Sequence, residues 1–239
     1  IKFSDKTIEK PLNFDYRRYI WWGGVNEYML YEVALLDHYD PKVEKKGVLF
    51  ANERPANYNT PWFFWSRWPQ TLEKSITNNP PKSSTERKIK TVFLGKIDTA
   101  KQARQRLSLD WSSVIEEFDM PTGGRYKYDY PKYLEVIKDS KFGLCLPGVG
   151  PKCNREVELL ATGTIPIITP GVDLFYHNPL VENEHYIFVD RPNQIEDKIN
   201  SISDEQMNTM SKACVDWYQK TCSPKASFEI TKKLIEELS

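Results

Sequence analysis

The sequence predicts an α/β fold with a parallel sheet, laid out in two halves. Three observations predict it. Apolar, β-prone runs alternate with segments of helical periodicity along most of the chain. A polar stretch rich in Pro and Ser, residues 78–88, separates two such alternations. A buried strand, a Gly-rich loop and a helix follow one another over residues 142–162, the kind of junction at which open α/β sheets bind ligands. The 239 residues suffice for one large domain or two small ones.

The first half covers residues 1–80. Residues 16–22 read as a strand, closed by Gly23-Gly24. Residues 25–38 read as a helix, because Met29, Leu30, Val33 and Leu36 recur at helical spacing. Asp40-Pro41 stops it, and residues 47–51 read as a buried strand, completing a β-α-β order. Residues 60–68 carry Trp62, Trp65 and Trp68 at intervals near one helical face. That spacing favours core packing over a platform for a sugar acceptor.

The second half, residues 88–224, opens with a strand at 89–94 that ends at Gly95, then a helix at about 99–109. Residues 142–146 form the next strand, followed by the loop Pro147-Gly148-Val149-Gly150, a helix at about 154–162 and Gly163. Strands at 165–168 and 186–189 and helices at about 204–221 and 225–238 complete the chain, the last helix expected to cross back onto the first half.

Lys+Arg and Asp+Glu stand at 33 each, and this neutral balance gives no electrostatic case for nucleic acid as a partner. Aromatic residues make up 13%, compatible with a Trp-rich core or with a surface that stacks on sugar rings. Of the four cysteines, Cys145, Cys153, Cys214 and Cys222, no pair has the spacing of a zinc knuckle, and Cys145 sits in an apolar run as an inert buried thiol. No run of about 18 apolar residues occurs, so no membrane span is expected. The expected setting is the cytoplasm or, after removal of an anchor, the Golgi lumen.

Residues 140–169, SKFGLCLPGVGPKCNREVELLATGTIPIIT, carry the chemistry. Gly148 and Gly150 let a ligand approach the backbone closely, and Asn154 opens the helix whose N–H groups favour an anion. Arg155 stands in the first helical turn, where a cation opposes the helix dipole unless it faces a phosphate. Glu158 lies one turn later on nearly the same face, where a carboxylate accepts both hydroxyls of a ribose. The bland alternative is an Arg155–Glu158 surface pair on an ordinary helix.

This stretch resembles the exostosin family of glycosyltransferases. The resemblance rests on Ser140, the strand 142–146, Pro147, Arg155, Glu158, Gly163 and Pro166, with Phe93-Leu94-Gly95, Arg106-Leu107 and Tyr133 upstream. It covers roughly residues 90–210. It implies a compact GT-B-like architecture, with two Rossmann-like halves facing a cleft, and an inverting transfer from a nucleotide-diphosphate sugar to a glycan or glycoprotein acceptor. By this resemblance Arg155 contacts the diphosphate and Glu158 the ribose. A UDP-sugar is the expected donor, as a substrate and with no cofactor. Residues 1–80 carry no such likeness.

Two details refine the expectation. Many retaining GT-B enzymes carry a second Glu eight residues before the ribose Glu, where this chain has Gly150, so inversion is expected. No Asp-x-Asp occurs anywhere in the chain, which argues for a metal-independent mechanism. An inverting transfer needs a base for the acceptor hydroxyl. Glu53, after the strand at 47–51, and Glu27, after Gly23-Gly24, are the candidates. Gly95, Lys96 and Arg106 are expected to add to the diphosphate site, with a solvated loop and helix face as the alternative. Tyr126 and Tyr128 follow Gly123-Gly124 as candidates for stacking on the base. His177 and His185 are read as structural. The rival function is a non-catalytic nucleotide-sugar or glycan-binding module. A sugar epimerase is disfavoured, because no Gly-x-Gly-x-x-Gly follows a strand.

Overall fold

The computed structural model describes residues 61–62 and 69–238, together with the backbone at 2–3, 6–7, 34–36 and 48–50. Seven α-helices and nine strands occur among the described residues. In the first half, β1 (Lys2–Phe3) pairs antiparallel with β2 (Lys6–Thr7), and β3 (Ala34–Leu36) pairs in parallel with β4 (Val48–Phe50). The strand β4 falls where the sequence puts it. Strand β3 corrects the helix read over 25–38 at its end: a short apolar run such as Ala-Leu-Leu satisfies either period, and here pairing with β4 decides it. The strand read at 16–22 lies outside the described residues.

The second half is built on a five-stranded parallel sheet in the order β6-β5-β7-β8-β9. Its strands are β5 (Ile89–Leu94), β6 (Glu117–Asp119), β7 (Ser140–Cys145), β8 (Ile165–Ile168) and β9 (Ile187–Phe188). Every residue of β8 and all but Lys141 of β7 are buried, as a parallel sheet covered on both faces requires. The chain leaves β5 for β6 on one side, then returns past β5 to β7, β8 and β9. Direction therefore reverses between β5 and β7, and right-handed crossovers put the intervening helices on opposite faces. This is a Rossmann-like α/β arrangement, and its switch point lies at the carboxyl ends of β5 and β7.

Local sequence explains the helices. Thr99 caps α2 (Ala100–Arg106): its hydroxyl accepts from Gln102 N and the Gln102 side chain accepts from Thr99 N, both at 3.2 Å. Asp129 caps α3 (Tyr130–Lys138), accepting from Lys132 N at 2.9 Å. The helix α4 (Asn154–Ala161) ends in a Schellman motif: Gly163, at φ 67°, donates to Leu160 O, and Thr164 N donates to Leu159 O. At Gly143 in β7, a Cβ would lie 2.4 Å from Leu159 Cδ2, so the missing side chain seats α4 directly on the strand. Helix α4 packs on α6 (Asp204–Thr221), and α1 (Pro69–Asn78) packs on α3 and α4. A short helix α5 (Ile195–Asn200) follows β9, and α7 (Pro224–Leu238) packs on α6. Most of the first half, on which α7 is expected to pack, lies outside the described residues.

The polar stretch read as a linker is fastened down. A 3-10 turn at Ser84–Glu86 is held by Asn208 Oδ1 of α6, which accepts from Ser83 Oγ, Ser84 N and Ser84 Oγ. Beside it, buried Arg87 donates to Lys82 O, Ser140 O, Thr162 O, Thr164 Oγ1 and Ser211 Oγ, tying the amino edge of the sheet together.

Candidate functional site

At the carboxyl edge, strands β5 and β6 stay paired past their ends: Gly95 N donates to Asp119 O and Ile97 N to Pro121 O. The segments following β5 and β6 are thus held to one another. Two arginines reach this edge from different helices. Arg106, the last residue of α2, is 4% exposed, which rules out a solvated helix face. Its Nε donates to Pro147 O at 2.8 Å and its Nη1 to Lys96 O. Arg155, in the first turn of α4, donates from Nη2 to Leu94 O at 3.0 Å. Its Nε and Nη1 are buried and have no hydrogen-bond partner.

The two charges feel each other. Burial, and next the Arg155 charge, lower the pKa of Arg106 to about 10, so both remain cations at neutral pH. Neither is in ion-pair distance of a carboxylate among the described residues. Arg87, also buried without a counter-ion, directs its guanidinium onto carbonyl and hydroxyl oxygens. Arg155 satisfies only one nitrogen this way, on Leu94 O, and leaves Nε and Nη1 without a partner.

Glu158 is buried at 8% exposure and is not paired with Arg155, so the surface-pair alternative does not hold. Its carboxylate is braced from α3: Tyr130 donates its hydroxyl to Oε1 at 3.0 Å and Tyr133 to Oε2 at 2.9 Å, the rings stacked 6.0 Å apart. Burial, then Glu158, push the Tyr133 phenol well up, so it stays protonated and donates. Carboxylate oxygens accept more than one hydrogen bond.

The loop glycines have structural reasons as well. A Cβ at Gly148 would meet Cys153 Sγ at 2.5 Å, and Gly148 N donates to Gly150 O at 3.0 Å, closing the loop on itself. Asn154 begins α4 and is partly exposed. Glu156 fills the third helical position, where Oε1 accepts from Cys153 N at 3.1 Å and burial raises its carboxyl to about 7. Burial likewise pushes the Cys153 thiol up to about 12, so it is no nucleophile at neutral pH.

Other sequence candidates separate. The Lys96 ammonium pairs with Asp98 at 3.0 Å and lies 4.9 Å from the Tyr126 ring centroid; its carbonyl, not its charge, positions Arg106. Tyr126 is 55% exposed above this edge, whereas Tyr128 donates to Glu117 Oε1 on the outer strand at 3.1 Å. Of the two loop tyrosines, Tyr126 is therefore the one beside Lys96 and Arg106. His185 accepts from Val181 N and is lowered by burial, a structural histidine. Trp62 is buried and bridges to Tyr176, which is core packing rather than an acceptor platform. Glu27, Glu53, Trp65 and Trp68 lie outside the described residues. Sequence reasoning named Phe93 only as part of the opening strand, not as a partner of the arginines, and missed the Tyr130 brace, which precedes Glu158 by 28 positions on a helix that was itself missed. No protein-family model matches the chain, and no curated protein matches it.

Proposed function

We propose that the chain is an exostosin-like, inverting and metal-independent glycosyltransferase of the GT-B type, moving a sugar from a nucleotide-diphosphate donor to a glycan or glycoprotein hydroxyl. The observation that carries the reading is the pair Arg106 and Arg155. Two cations without carboxylate partners among the described residues, Arg106 buried and Arg155 half-buried with two unsatisfied donors, flank the switch point of a parallel sheet. Such a pair suits the two phosphates of a donor and offsets charge on the leaving diphosphate. Glu158, three residues after Arg155 and held by two tyrosines, is suited to the ribose hydroxyls. Tyr126 is suited to the base. On this reading the second half binds the donor, and the acceptor site and the base, Glu53 or Glu27, belong to the first half.

A thermal-shift panel of UDP-, GDP- and dTDP-sugars tests the donor. A ligand at a hundred times its dissociation constant stabilises by about 2.7 kcal/mol. One nucleotide class is expected to raise the melting temperature, and the matching sugar to appear on a glycan acceptor. No response to any nucleotide sugar would overturn the reading; binding with neither transfer nor donor hydrolysis would favour a non-catalytic module.

A further inference from the structure

The two guanidinium groups share one aromatic ring. Phe93, fully buried in β5, has the Arg155 Cζ 4.4 Å and the Arg106 Cζ 5.8 Å from its centroid, and it stacks on Phe118 at 5.5 Å. A ring face attracts cations through its quadrupole. The other groups fixing these arginines are the carbonyls of Leu94, Lys96 and Pro147. All are neutral, so they orient the cations without cancelling their charge. A carboxylate in the same place would hold the arginines as firmly but leave no net attraction for an anion.

Gly95 completes the seat. A Cβ there would lie 2.7 Å from Arg155 Nη2 and 2.8 and 3.0 Å from the ring atoms Cζ and Cε1 of Phe93. Any side chain at this position wedges between guanidinium and ring. Resting on the donor-site reading above, we propose that Phe93 is a positioning residue: its ring, left uncovered by Gly95, holds Arg155 and Arg106 together so that both charges meet one diphosphate. Orthophosphate, with one phosphorus centre and less charge to spread over two guanidinium groups than a diphosphate, is expected to depend on this arrangement less.

Calorimetric titration of inorganic pyrophosphate and of orthophosphate into the full chain tests this, with Phe93→Leu, Gly95→Ala and Arg155→Ala beside wild type. Phe93→Leu and Gly95→Ala are expected to lower the pyrophosphate-to-orthophosphate affinity ratio about tenfold. A purely structural role would lower the melting temperature and leave that ratio unchanged. Gly95→Ala keeps the core ring and decides the matter alone if Phe93→Leu fails to fold. If Arg155→Ala abolishes pyrophosphate binding while the folded Phe93 and Gly95 variants keep the wild-type ratio, the inference falls and the donor site stands. If wild type binds no pyrophosphate, both fall.

Discussion

Arg87 is buried and Arg155 half-buried, both without a counter-ion among the described residues, yet they serve opposite ends of the sheet in opposite ways. Arg87 donates to five different oxygen acceptors at the amino edge. Its loss strands buried carbonyls, each costing about 1–3 kcal/mol. Arg155 keeps one donor on Leu94 O and leaves two nitrogens unsatisfied. Arg87→Ala is therefore expected to destabilise by about 3 kcal/mol or more and Arg155→Ala by about 1 kcal/mol or less, compared by urea denaturation. Equal losses would mean that Arg155 is structural. Tyr126 gives a second test at this scale. Tyr126→Ala is expected to weaken a nucleoside diphosphate by about 1–3 kcal/mol, the worth of one base–aromatic stack, and to leave inorganic pyrophosphate binding unchanged. Equal losses for both ligands would remove the base from Tyr126.

At the scale of elements, α4 joins stability to the site. Its first turn contains Glu156, whose carboxyl burial raises from 4.5 to about 7. The folded state then binds more protons than the unfolded state across that window, so this group's contribution to stability is full at low pH and is lost as pH rises through about 7. Glu156→Gln is expected to gain stability relative to wild type at pH about 8, by up to about 3 kcal/mol, and little at pH about 5. A difference that does not change with pH would contradict the assignment. Elements with two independent signals were legible in the sequence. Strand β7, the glycine loop and α4 appear within two residues of their expected places because an apolar run, a turn and a Gly stop all agree. Strand β6 and helix α3 were missed. Glu-Phe-Asp is too short to show alternation, and the tyrosines around the Asp129 cap and Pro131 obscure the helical period there. Of the proposed site, Arg155, Arg106 and Glu158 were legible in the sequence. Their partners were not, because Leu94 O, Pro147 O and the Phe93 ring are brought to them only by the order of the strands.

At the scale of the molecule, a Rossmann-like sheet with its switch point between β5 and β7 gathers residues from α2, β5 and α4 at one edge. Since no Asp-x-Asp occurs in the chain, leaving-group charge is assigned to the arginines, and transfer is expected to survive EDTA. Abolition by the chelator with rescue by Mn or Mg would contradict that assignment. The central claim is that Arg155 anchors the donor diphosphate. Its most direct test is calorimetric titration of the preferred nucleotide sugar into wild type and Arg155→Ala, with melting curves recorded beside them. The account predicts a folded variant whose donor affinity is weaker by about 1.5–3 kcal/mol, the worth of a hydrogen bond to a charged group. A folded variant that binds the donor as tightly as wild type would contradict it.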